Sequence, residues 1–170
     1  GFIQENDYRK ITLHPLIQEI AIDDTQPSIT SCISIVEAVR TQCLYHGLDL
    51  PYHALLFKIA ENVINITEPD NTELYQLFLK DVFAYMEKYA YRSGMELIIS
   101  ELQSLANTTE DRAMLLDYKA AFEHICNKNH KMALHYEQQA VKLCEEITAV
   151  NSYLVANIYG NVGGLYHSIG

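Results

Sequence analysis

A chain of 170 residues has room for one ordinary domain or for a short run of small repeats. With 49% hydrophobic and 20% charged residues it reads as folded, and a net charge of −10 without any Lys/Arg cluster excludes a surface built for a nucleic-acid backbone. No apolar stretch approaches the roughly 18 residues of a membrane span. Cys32, Cys43, Cys126 and Cys144 have neither C-x-x-C pairing nor zinc-finger spacing. They read as small reduced core residues, which points to a cytoplasmic protein.

The first dozen residues differ in texture from the rest. Phe2-Ile3, polar Glu5-Asn6-Asp7 and Lys10 to Leu13 read as two short strands around a turn. Pro15 biases His14 away from helical backbone and can itself start a helix, with Leu16, Ile17, Ile20 and Ala21 as its apolar face. Asp23 to Pro27 reads as an exit linker. From there the sequence predicts helix after helix. Ile29, Ile33, Val36, Cys43 and Leu44 share one helical face that stops near His46-Gly47. Pro51 opens the next helix, striped by Leu55, Leu56, Ile59, Ala60, Val63 and Ile64.

Glu68 to Asn71 breaks that helix, and Asp70 with Glu73 offers a capping box. Leu74, Leu77, Phe78, Val82, Tyr85 and Tyr89 mark the buried side of the helix that follows. A shorter one runs from about Ser93 to Leu105, with Met95, Ile98, Leu102 and Leu105 inward, and Asn107 with Glu110 forms a second capping box. Helices are then expected over Glu110–Asn127, His130–Val150 and Ser152–Ser168. The breaks are short, so successive helices should pack antiparallel.

Chemistry-bearing patterns are scarce. His46 with His53, seven apart, and His130 with His135, five apart, are close histidine pairs, and neither has the i, i+4 spacing of a helical metal site. No Ser or Cys stands in a nucleophile elbow. The Gly-rich GNVGG lacks the Gly-Lys-Ser/Thr of a phosphate loop. Carboxylates are expected on polar helix faces, solvated. These residues carry no enzyme, metal or cofactor site of their own.

Ala156 to Gly170, ANIYGNVGGLYHSIG, resembles the first helix of a tetratricopeptide repeat. Tyr159 and Tyr166 stand at its aromatic positions and Val162-Gly163 at its Leu-Gly pair. HKMALHYEQQAVKL resembles the second helix, with Ala133 and Ala140 as small residues; Ala121 then takes the small position of its partner helix, and Gly94 that of an earlier repeat. Ala121 and Gly163 lie 42 residues apart, against 34 in the standard repeat, which predicts a lengthened second helix. The resemblance implies an array whose first helices line a peptide-binding groove. By repeat position, Tyr118, Lys119, Asn157, Asn161 and His167 face that groove, and an Asn at the place of Asn161 holds extended peptide backbone in such repeats.

Hairpin, then LHPLIQEIA, then repeats resembles the end of the winged-helix domain in signal-transduction ATPases of the STAND class, the NB-ARC family included. There a Met-His-Asp or Leu-His-Asp motif supplies a histidine to the β-phosphate of ADP. Leu13 and His14 match it, and Pro15 replaces the Asp. The resemblance implies that His14 contacts ADP in a parent ATPase, the ADP/ATP site itself lying outside this segment. The missing initiator Met and the stop at Gly170 point to a piece of a longer chain.

The expected fold class is therefore all-α: an antiparallel helix-hairpin array of tetratricopeptide type, a right-handed superhelix with a short β-hairpin at its N-terminus. Residues 1–26 are expected to end a winged-helix domain. Residues 27–170 form the repeat domain, clearest over 110–170. The expected function is a non-catalytic protein- or peptide-binding scaffold, the sensor region of a STAND-class ATPase. A stand-alone repeat adaptor and the peptide-sensing part of a transcription regulator are the alternatives. Neither nucleic acid nor membrane is an expected partner of this region, whereas self-association through the last helix is, because that helix ends without its second-helix partner.

Overall fold

The computed structural model describes the backbone of residues 3–5, 11–13, 15–45, 50–147 and 152–169, and side-chain surroundings over 19–44, 52–147 and 153–169. His14 lies outside the described residues. Two strands, β1 (Ile3–Glu5) and β2 (Ile11–Leu13), pair antiparallel with Ile3 opposite Leu13. The rest is an all-helical array. Its elements are α1 (Pro15–Thr25), α2 (Ile33–Tyr45), α3 (Leu50–Ile66), α4 (Thr72–Lys88), α5 (Arg92–Leu105), α6 (Thr109–Ile125), α7 (His130–Glu146) and α8 (Ser152–Ile169).

Contacts fix the relative directions of α6, α7 and α8. Ala113, early in α6, packs with Ala140 and Cys144, late in α7, and with Ile158, early in α8. Ala120, late in α6, meets Ala133, early in α7, and Leu165, late in α8. Thus α7 runs antiparallel to α6 and α8, which are parallel to each other. The same holds upstream: the Tyr75 hydroxyl near the start of α4 donates to Glu101 late in α5 at 3.1 Å, and Arg40 of α2 pairs with Asp81 of α4 at 2.6 Å. Even-numbered helices α2, α4, α6 and α8 form one layer, and α3, α5 and α7 the other. The main core lies where α2 to α5 meet, around Val36, Phe78, Leu79, Met86, Met95 and Ile98.

Local chemistry places the ends one residue away from the sequence expectation at both capping sites. Asn71 rather than Asp70 caps α4, accepting from Leu74 N–H at 3.1 Å. Asp70 instead accepts from Thr30 N–H at 3.0 Å. That bond adds to the Ser28–Glu68 bridge, which ties the turn before α2 to the turn before α4. At α6 the reciprocal box is Thr108 with Asp111: the Thr108 hydroxyl accepts from the Asp111 amide, and the Asp111 carboxylate accepts from the Thr108 amide. Asp23 to Thr25, read as linker, are the last turn of α1.

The buried faces are also rotated in part. Ile33, Leu44, Leu55 and Leu77 are exposed, and Val39, Phe57, Tyr75 and Phe83 are buried in their stead. Ile29 is buried, but from the turn before α2.

The repeat positions need correction. α7 ends at Glu146, with 17 residues like α6, and residues 147–151 separate it from α8, too few to hold the whole excess spacing. The close-packed small residue of α6 is Ala120 rather than half-buried Ala121, and a Cβ at Gly163 would meet nothing within 4 Å. Gly94 does sit at a close approach. A Cβ there would strike the buried Met86 side chain and come within 2.8 Å of the Tyr91 ring, itself stacked on Phe57 at 4.4 Å. Tyr159 and Tyr166, at the aromatic positions of the repeat, are half-exposed.

Ala140 is fully buried between α6 and α8. Ala140→Leu should overpack this seam and cost roughly 1–3 kcal/mol. Gly163→Ala has open space and should gain up to about 1 kcal/mol of helix propensity. Thermal melts read both, at about 2–4 °C per kcal/mol for a chain of this size; an unchanged melting temperature for Ala140→Leu would refute close packing at that seam.

Candidate binding groove and its buried carboxyl pair

α6 and α7 carry the same stripe: Ala113, Asp117, Ala120 on one and Ala133, Glu137, Ala140 on the other, each at i, i+4, i+7. All six positions are buried. Alanines at these positions let the helix backbones approach closely. The acids midway along each stripe are thereby brought together. Asp117 is 4% exposed and Glu137 1%.

Asp117 is held from three directions. Asn161 Nδ2 donates to Asp117 Oδ1 at 2.7 Å, and Asn157 Nδ2 to Oδ2 at 3.3 Å. The two asparagines lie one turn apart on α8, so both reach the same carboxylate. The third partner is the Glu137 carboxyl. Burial, with the neighbouring Asp117 charge, pushes Glu137 up to about 9. It is therefore protonated at neutral pH and donates its O–H to Asp117. Burial also raises Asp117, opposed by the bonds from Asn161, Glu137 and Asn157. Glu137 Oε2 is left buried without a hydrogen-bond partner.

This network separates two recesses of a groove that follows α6 between α4 and α8. The larger, about 400 Å³, is bordered by Lys80 and Asp81 of α4, Asp111 and Tyr118 of α6, and Tyr153 and Asn157 of α8. The smaller, about 240 Å³, has Glu87 of α4, His124 of α6, Glu137 of α7 and Asn161 of α8 on its walls. Asp81 is matched by Arg40. With Glu137 protonated, the remaining carboxyl groups, Glu87, Glu110, Asp111 and Asp117, still outnumber Lys80, the one Lys or Arg on either lining among the described residues. The groove is acidic.

Of the residues expected at a groove, the structure brings Tyr118, Asn157 and Asn161 together. The Tyr118 ring stacks on Phe83, with centroids 4.0 Å apart and planes 8° from parallel. Burial, with Asp117 and Glu87 nearby, raises its hydroxyl well above the ordinary tyrosine range. Lys119 lies on the opposite side of α6, its Nζ donating to Gln103 of α5 at 2.9 Å. His167 is exposed in the last turn of α8 and borders neither recess.

The histidines pair differently from their spacing. His53 is buried, hydrogen-bonded to the Tyr85 hydroxyl and packed on Tyr89 at 3.9 Å. His130 bonds His124, Nδ1 to Nδ1 at 2.9 Å, rather than His135. Burial and the neighbouring His130 and Lys128 lower His124. Among the described residues, no group of three His, Cys, Asp or Glu side chains is placed to hold a metal ion, and no helix is long and apolar enough to cross a membrane.

Asp117 and Glu137 run against the expectation of acids on solvated faces. The sequence does carry a signal for them: Ala133, Glu137, Ala140 and Cys144 keep strict helical spacing, which puts an acid in register with a buried stripe. Comparisons with protein-family models, curated proteins and solved structures gave no match.

The carboxyl pair makes stability depend on pH. Glu137 keeps its proton in the fold up to about 9 but loses it near 4.5 when unfolded. Between those values the folded chain binds more protons, so stability falls as pH rises, by up to ~1.4 kcal/mol per unit. Raised Asp117 and Glu87 act with the same sign, and Cys144, also raised, acts at more alkaline pH. Lowered His124 acts oppositely, and only at or below its ordinary value of 6.5. Urea unfolding at pH 7 and 8.5 should show a loss of at most about 2 kcal/mol in the native sequence. Glu137→Gln should flatten that limb, and equal slopes in both proteins would refute the protonated pair.

Proposed function

We propose that this chain is a non-catalytic peptide- or protein-binding scaffold of the tetratricopeptide type, acting as the sensor region of a STAND-class ATPase. The observation that carries the binding reading is the fixed pair Asn157 and Asn161. Each amide NH₂ donates to Asp117, which orients the two side chains before any ligand arrives. Each amide oxygen remains an acceptor for the N–H of an extended peptide, and prior orientation lowers the ordering cost of binding. Tyr118 and Tyr153, bordering the same groove, supply rigid aromatic surface with a polar tip. In the parent protein, occupancy of the groove would bias the ATPase between resting and active states.

Selection of displayed random 12-residue peptides on this chain should enrich binders. Fluorescence polarisation of the enriched peptides should then show roughly tenfold or greater weakening in Asn157→Ala/Asn161→Ala. No enrichment, or affinity untouched by the double substitution, would remove the groove assignment. The ATPase assignment rests on Leu13-His14-Pro15 and has its own test. In a longer protein with a G-x-x-x-x-G-K-[ST] element upstream, His14→Ala should accelerate ADP release, measured by displacement of a fluorescent analogue. An unchanged rate would leave His14 without a nucleotide role.

A further inference from the structure

The smaller recess holds the one buried side-chain oxygen that lacks a hydrogen-bond partner among the described residues, Glu137 Oε2. A buried acceptor without a donor costs about 1–3 kcal/mol, so a donor brought to this oxygen through the recess would be favoured there. What surrounds that oxygen defines the missing donor. Ala121, Ile125 and Leu165 make apolar walls, and Gly160 and Gly164 leave one side unobstructed, since a Cβ at either would meet nothing within 4 Å. Glu87 adds a second carboxyl, half-buried. Among the described residues, no lysine or arginine lines this recess. At about 240 Å³ it falls below the roughly 300–1,000 Å³ of sites for whole small molecules.

We propose that this recess binds the cationic end of one basic side chain, a lysine ammonium or an arginine guanidinium, presented by a peptide lying in the groove. This rests on the peptide-binding reading above. The apolar walls sleeve the methylenes of such a side chain while its head donates to Glu137 Oε2 and Glu87, the division of labour long basic side chains favour. A cation at that position favours the ionised form of Glu137, so entry of the ligand releases the Glu137 proton to solvent. The groups facing the site are Glu87 from α4, Asp117 and His124 from α6, and Cys144 from α7. His124, which burial and His130 keep disposed to the neutral form, offers little opposing charge.

The test uses n-butylammonium and n-butylguanidinium as probes, n-butanol as the uncharged control, and ¹³C-detected NMR of the glutamate carboxyl carbons. Both cations should shift the Glu137 carboxyl resonance saturably in the millimolar range, and butanol should not. Affinity should rise at least fivefold between pH 6.5 and 8.5, where the probes remain cationic, within the limit of about tenfold per unit for one released proton. Glu137→Gln should weaken binding tenfold or more, and Glu87→Gln, which leaves the buried pair intact, severalfold. Acetyl-Gly-Lys-Gly-amide should bind more tightly than butylammonium, and acetyl-Gly-Gln-Gly-amide not measurably.

Equal shifts with butanol, or no saturable shift, would overturn the cation site. A lysine tripeptide no tighter than butylammonium would reassign the recess to a free amine and overturn the peptide source. Should selected peptides bind the groove while the Glu137 resonance stays silent, the recess proposal falls and the groove reading stands. Cation binding at Glu137 without any peptide enrichment upholds the cation site and removes the groove reading.

Discussion

Everything around the groove depends on how closely α6 approaches α7. The alanines flanking Asp117 and Glu137 permit an approach that larger side chains would forbid, and the approach is what removes both acids from water. Once there, the two carboxyls cannot both be ionised at neutral pH, so one keeps a proton and bonds the other. Register follows from the same arrangement. Sliding α7 by one turn would set Asp117 against an alanine and leave each acid buried without its partner, a cost of several kcal/mol for the ionised one. The stripe therefore selects a single alignment of two helices whose alanines alone would tolerate several.

The third helix is positioned by the same pair. Ile158 and Leu165 dock α8 against the seams above and below the carboxyls, and between them Asn157 and Asn161 reach inward to Asp117. A hydrophobic contact on either side of a polar clasp fixes both rotation and height of α8, which apolar packing alone specifies poorly. By contrast, α2 to α5 are held chiefly by a large apolar and aromatic core. The region that borders the groove is thus stabilised by a different kind of interaction from the region that supports it.

How much of this the sequence disclosed depends on what kind of information each feature needs. Helix number, order and direction follow from periodicity and short breaks, and these are legible to within a few residues. The caps differ by one position because Asp70 and Asn107 are as competent by residue type as Asn71 and Thr108. The choice between them is made elsewhere: Thr30 claims Asp70, and Thr108 exchanges two bonds with Asp111. Buried faces rotate where a helix is apolar on more than one side, as in α3, where Leu55 and Leu56 are equally plausible and the positions of α2, α4 and α5 decide. Tyr118, Asn157 and Asn161 can be placed from repeat position, while Lys119 turns to Gln103, a contact between helices that no local pattern encodes. The acids stay hidden because composition assigns carboxylates to solvent by default, although the spacing of Ala133, Glu137 and Ala140 argues otherwise.

Asp117 is the common support of both recesses, and this gives the groove an internal connection. Asn157 borders the larger recess and Asn161 the smaller, and each stabilises the same carboxylate. Drawing either amide away removes one bond that lowers Asp117, which raises its proton affinity and changes the balance with Glu137. A change at either asparagine is therefore felt by the whole Asp117–Glu137 pair, because the two carboxyls titrate as one unit.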